Sequence, residues 1–217
     1  MTSCCTPSRS LEGTNKFFSR QAKRLVKRFR KKGLAGEQRL LEEGILKSAP
    51  GGSSILEIGC GVGGLHHTLL KRGLGSAVGI DISEGMIAGA RELSGELGLE
   101  NRTSYLLGDF VEIHGRIEKA DITILDKVVC CYENVDELLV QSLSKTKRVY
   151  ALSFPKPNLL IKLVFHVPIA IGTLLGWSFH PYWHDWHRMR QRIEENGFKP
   201  SFHGSTFVWD VHVFERE

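Results

Sequence analysis

Ser54-Ile55-Leu56-Glu57-Ile58-Gly59-Cys60-Gly61-Val62-Gly63-Gly64 opens a stretch that runs on to Ala77-Val78-Gly79-Ile80-Asp81-Ile82-Ser83 and decides the fold. Ile55, Leu56 and Ile58 suit a buried parallel strand. Gly59, Gly61 and Gly63 then let the backbone turn sharply and approach a ligand without Cβ interference. The second apolar run ends in Asp81, about twenty residues after the glycines, where a carboxylate can accept hydrogen bonds from both hydroxyls of a ribose. Strand, glycine turn, helix and second strand together predict a site for an adenosine-type cofactor.

Two cofactors fit that outline. Gly59-x-Gly61-x-x-Gly64 also satisfies the dinucleotide fingerprint, in which a helix N-terminus receives a pyrophosphate. A nicotinamide-dependent oxidoreductase is therefore the alternative enzyme class. Glu57, two residues before the first glycine, tilts the choice. Its charge repels a pyrophosphate and attracts a sulfonium or an ammonium group.

Glu57-x-Gly59-x-Gly61-x-Gly63, Asp81-Ile82-Ser83 followed by Met86, and Gly108-Asp109-Phe110 together resemble the class I S-adenosylmethionine-dependent methyltransferases, over roughly residues 40 to 217. That resemblance implies an α/β fold, a Rossmann-like doubly wound seven-stranded sheet, mostly parallel with an antiparallel C-terminal hairpin. It implies that Glu57 and the Gly59-Cys60-Gly61 turn with Gly63 face the methionine part, and that Asp81 holds the ribose. Ile82 and Met86 would line the adenine, Asp109 would accept from its amino group, and Phe110 would lie beside it.

A chain of 217 residues, 41% hydrophobic and 24% charged, is long enough for one α/β domain with small additions. The formal charge of +5 is divided unevenly: residues 16–32 hold nine Lys or Arg and no acid, leaving 20 basic against 24 acidic residues elsewhere. Cys4, Cys5, Cys60, Cys130 and Cys131 show neither zinc-type CxxC spacing nor a secreted disulfide framework, so reduced thiols in a cytoplasmic setting and no metal are expected. The N-terminus carries no apolar signal region.

Residues 1–35 read as a basic arm and helix, and 36–217 as the methyltransferase domain. Met1 to Asn15 is polar and reads as irregular; from Lys16, Phe18, Ala22, Leu25, Val26 and Phe29 fall on one helical face, and Gly33 stops the helix. This basic amphipathic helix has three readings: a cap over the cofactor site, a contact with an anionic membrane, or a nucleic-acid contact. Nucleic acid ranks last, because nothing that reads bases accompanies it. A non-catalytic adaptor built on this helix is the third functional class. His66 and His67, on the helix after the glycine turn, read as solvent-facing or capping residues.

The fourth strand, Asp121 to Asp126, leads into Lys127-Val128-Val129-Cys130-Cys131-Tyr132. In open parallel sheets ligands sit beyond the carboxyl ends of the strands, which brings Asp126, Lys127 and Tyr132 to the reacting centre. The resemblance sets Asp126 and Lys127 beside the methionine or methyl end. After Phe154-Pro155-Lys156-Pro157, residues 159–177 are almost entirely apolar, which predicts a substrate lid over about 155–183 and a second candidate membrane contact.

Phe179-His180-Pro181-Tyr182-Trp183-His184-Asp185-Trp186-His187 follows; Pro181 argues against a helical metal motif there. From Ser153 onward the layout, with Tyr182-Trp183-His184, is similar to magnesium-protoporphyrin O-methyltransferases and related small-molecule enzymes. The sequence thus predicts methyl transfer from S-adenosylmethionine to a small, partly apolar or amphipathic acceptor, with oxygen favoured. For a hydroxyl or amine acceptor His184 is the candidate base, and for a carboxylate His184 or Tyr132 would only hold it by hydrogen bonds.

Overall fold

In a computed structural model, residues 9–156, 158, 161 and 182–216 are described. The elements in chain order are α1 (Arg9–Lys32), α2 (Gly36–Ser48), β1 (Ile55–Ile58), α3 (Gly64–Lys71), β2 (Ala77–Asp81), α4 (Glu84–Glu96), β3 (Thr103–Leu107) and α5 (Phe110–Ile113). They continue with β4 (Ala120–Asp126), α6 (Val135–Ser144), β5 (Thr146–Pro155), α7 (Trp186–Glu195), β6 (Lys199–Ser205) and β7 (Trp209–Glu215). The sheet has seven strands in the order β3-β2-β1-β4-β5-β7-β6. Strands β1 to β5 pair in parallel, and β7 runs antiparallel between β5 and β6.

The strand order reverses at β1, which pairs with β2 on one side and β4 on the other. Such a switch point leaves a crevice beyond the strand ends, so the glycine turn after β1 opens into it. Helices cover both faces because each strand buries alternate residues against a different layer. Leu56, Ile58, Leu125 and Leu152 pack toward α6 and α7, whereas Ile55, Ile122, Ile124 and Val149 pack toward α2 and α3. The antiparallel β6–β7 hairpin completes the sheet as expected, with β6 as its edge.

One N-terminal expectation changes. The first helix begins at Arg9, not at Lys16, so part of the stretch read as irregular is helical. The helix packs on the domain. Ala22 and Val26 are buried against Val62, Met86 and Leu93, and Arg30 pairs with Glu92 and Glu96 of α4. Most of the apolar segment read as a lid, including His180, lies outside the described residues. Among the described residues no helix is long and apolar enough to cross a membrane.

Candidate active site

Glu57 is the polar exception in an otherwise apolar strand and is buried. Its Oε2 lies 2.5 Å from Nδ1 of His66, in the first turn of α3. The His66 Nε2 lies 3.1 Å from the Tyr105 hydroxyl, which is also 2.6 Å from Nε2 of His67. Burial pushes the Glu57 carboxyl well up, reinforced by the charge of Asp126. Burial pushes His66 and His67 down to about 3. The three bonds can run from Glu57 through His66 and Tyr105 to His67 or in the reverse sense, and in both His67 Nδ1 is left without a partner. His66 and His67 are therefore interior polar partners, contrary to their solvent-facing reading from sequence.

Asp81 ends β2 within the same crevice. Its Oδ2 accepts from the Gly61 N–H and its Oδ1 from the Ser83 N–H, both at 2.8 Å. These bonds aim the carboxylate, and each oxygen keeps a lone pair for a ligand. Burial, only partly offset by those bonds, pushes the Asp81 carboxyl up to about 6. The glycine turn makes this geometry accessible. Gly59 has φ +64°, and a Cβ there would stand 2.5 Å from Val128 Cγ2.

At the end of β4, Asp126 accepts from Gln38 Nε2 at 2.9 Å and from Ser153 Oγ at 2.5 Å. Lys127 follows in a left-handed conformation, φ 61°, that side chains seldom adopt. Its N–H donates to Ser153 Oγ, its Nζ pairs with Glu37 of α2, and the same Nζ sits 5.1 Å over the Trp209 ring. Burial opposes the Lys127 charge, but Asp126 and Glu37 outweigh it and raise its pKa. Three contacts thus hold this strained residue at the cavity wall.

These groups surround a cavity of about 420 Å³ beyond the carboxyl ends of β1, β2 and β4, within the range of small-molecule sites. Glu57, Asp81, Asp126 and Lys127 supply its charge, and Met86, Phe110, Val128 and Trp209 much of its apolar wall. The inner face of α1 closes one side through Phe18, Gln21, Leu25, Arg28 and Phe29. The Phe29 ring lies on Gly64, where a Cβ would come within 2.8 Å of it. Of the three readings of the basic helix, the cap over the site is the one its inner face adopts.

Gly59, Cys60, Gly61, Ile82 and Tyr132 also line this cavity. Gly63 instead forms the left-handed N-cap of α3. Asp109 departs from its expected adenine contact: it caps α5 through the Val111 N–H and takes the Tyr132 hydroxyl as a donor. Phe110 beside it does reach the cavity. Tyr132 spends its hydroxyl proton on Asp109, and burial together with that carboxylate raises its pKa beyond use as a base. His184 does not line the cavity; its Nε2–H donates to the Tyr132 carbonyl at 2.8 Å, beside a smaller pocket formed with Cys130, Phe154 and Trp186. Glu37, Gln38 and Trp209 were not singled out from sequence. The acid-amide pair opening α2 is the one local sign that two of them had.

A family model described as a methyltransferase domain matches residues 55–151. Among solved structures, magnesium protoporphyrin IX methyltransferase from Synechocystis PCC 6803, with bound S-adenosylhomocysteine, is 23% identical, with a TM-score of 0.70 over 94% of this chain and 98% of that one. The same enzyme with bound S-adenosylmethionine gives 19% identity and a TM-score of 0.71, over 100% of both chains. A TehB-like S-adenosylmethionine-dependent methyltransferase from Corynebacterium glutamicum is 16% identical, with a TM-score of 0.62 over 94% of this chain and 100% of that one. A sequence search of curated proteins gave no match. The seven-stranded sheet is the fold of these methyltransferase structures, and residues 55–151 are the segment that matches a methyltransferase-domain model.

Proposed function

We propose that this protein transfers a methyl group from S-adenosylmethionine to a small, partly apolar or amphipathic acceptor, with oxygen the favoured atom. The observation that carries the reading is the convergence of Glu57, Asp81 and Asp126 on one largely apolar cavity. Three carboxyl groups suit a ligand bearing positive charge and ribose hydroxyls, and they oppose the pyrophosphate of a dinucleotide. Asp81 is aimed to accept from the two hydroxyls, while Ile82, Met86 and Phe110 offer apolar contact for a purine.

The bound cofactor supplies an electrophilic methyl on a sulfonium. The chain's own task is alignment and exclusion of water, and holding reactants in line can reach effective molarities on the order of 10⁵–10⁸ M. Asp126 and Lys127 are held by partners on α2 and β5. Phe18, Leu25 and Phe29 shield the cavity from bulk water on the α1 side. His184, bonded to the backbone of Tyr132, serves in this reading as a positioning residue for the loop after β4. The outer face of α1 keeps Arg20, Lys23, Arg24, Lys27 and Lys31 exposed, which supports a peripheral contact with an anionic membrane surface.

The test is incubation with S-adenosylmethionine labelled at the methyl group and a metabolite extract. Transfer of label to an amphipathic compound bearing a new O-methyl group is the expected result. Label appearing only on polar or nucleic-acid fractions would refute the acceptor class, and stabilisation by NAD but not by S-adenosylhomocysteine would refute the cofactor.

A further inference from the structure

We propose that His203, Asp210 and His212, on the β6–β7 hairpin, form a binding site for a divalent transition-metal ion such as zinc. His203 pairs directly opposite His212 in the antiparallel ladder, and Asp210 lies two residues before His212. With a side-chain period of two, all three project from one face of the sheet. One ligand atom from each lies within 4.8 Å of the other two. His203 Nε2 and Asp210 Oδ1 are 3.3 Å apart, the separation expected of two ligands each about 2.0–2.1 Å from one tetrahedral zinc.

The two imidazoles differ in a way that suits capture. The His212 ring packs against the contacting rings of Trp186, with centroids 4.2 Å apart, and Phe154, at 5.5 Å. Its Nε2 is buried without a hydrogen-bond partner, a state seldom left uncompensated in a folded protein. The His203 side chain is 61% exposed, so it can turn toward an arriving ion. Two imidazole nitrogens and one carboxylate oxygen match zinc ligand chemistry and leave a position for water. Arg190 is the cation felt by His212, and its charge is engaged by Glu194 at 2.8 Å.

Such an ion would clip the edge strand β6 to β7. Trp209, the residue before Asp210, belongs to the opposite face of β7 and lines the cavity, so the clip would steady a cavity wall without touching a ligand there. Spacing alone hides the site, because its ligands meet across a hairpin and not along a motif.

The test uses the untagged, full-length protein, stripped with a chelator and titrated with zinc by calorimetry and with cobalt by visible absorption, at neutral pH. One equivalent of zinc, a raised melting temperature and cobalt d–d bands are expected. His203→Ala and Asp210→Asn should each lose at least about tenfold in affinity, and His187→Ala, an exposed histidine elsewhere, should not. No binding, or binding of equal affinity in the His203 and Asp210 variants, would overturn the proposal and direct any metal to the cysteines. Should one variant lose stability without metal, the other decides.

Discussion

Glu57 Oε2 and His66 Nδ1 stand 2.5 Å apart beneath the glycine turn, both without solvent contact, and this pair lets a carboxyl group be kept under the cavity floor. Removing one partner leaves the other buried and unmatched. His66→Ala is expected to lower stability by about 2–4 kcal/mol, from the lost bond and the space left behind. Urea unfolding of the two proteins measures it, and an unchanged midpoint would contradict the pairing.

The same pair predicts a proton event. Burial raises the pKa of the Glu57 carboxyl, so a cationic ligand beside it should lower that pKa, and any proton Glu57 then gives up is released on binding. Calorimetry of S-adenosylmethionine binding in buffers of different ionisation enthalpy would read this directly. The release should be smaller for S-adenosylhomocysteine, which lacks the sulfonium charge, and absent in Glu57→Gln.

Asp81→Ala should weaken S-adenosylhomocysteine binding by on the order of 10²–10⁴, two charge-assisted hydrogen bonds being worth roughly 1.5–3 kcal/mol each. Unchanged calorimetric affinity would contradict this.

The pH dependence of Asp81 has a definite sign. Its folded pKa of about 6 lies above its ordinary value of 3.8, so the folded state holds the proton longer than the unfolded chain. Its contribution to stability is complete below pH about 4 and is lost as the pH rises through about 6. That loss is about 3 kcal/mol by linkage. Asp81→Asn should flatten this slope, measured as the difference in unfolding free energy between the two proteins across that window.

Gly59→Ala and Gly61→Ala separate crowding from backbone strain. Both glycines have positive φ, but a Cβ at Gly59 would meet Val128 Cγ2 at 2.5 Å and one at Gly61 meets nothing within 4 Å. The Gly61 change should cost about 1 kcal/mol from conformation alone, and the Gly59 change about 1–3 kcal/mol more. Equal costs in thermal melts would show that Val128 yields.

Much of this site is legible in the chain itself. Short apolar runs with Glu57, Asp81 and Asp126 at or next to their ends mark strand ends, and strand ends converge at the switch point whatever the side-chain detail. Hidden from local pattern are the groups whose partners lie far along the chain. Consecutive histidines in a short helix suggest solvent, because nothing nearby shows that Glu57 on one strand and Tyr105 on another will satisfy them. Asp109 sits where an adenine ligand is expected, yet Tyr132, 23 residues later, supplies its donor. Glu37 and Gln38 take meaning only once α2 lies against the end of β4.

The glycine beneath Phe29 has a kinetic corollary. A helix seated on Gly64 adheres to the domain largely by shape and apolar contact, with its ion pairs at the far rim toward α4. Loosening that seat should therefore speed escape of an enclosed ligand: Phe29→Ala is expected to raise the off-rate of S-adenosylhomocysteine, and an unchanged off-rate in stopped-flow displacement would contradict it.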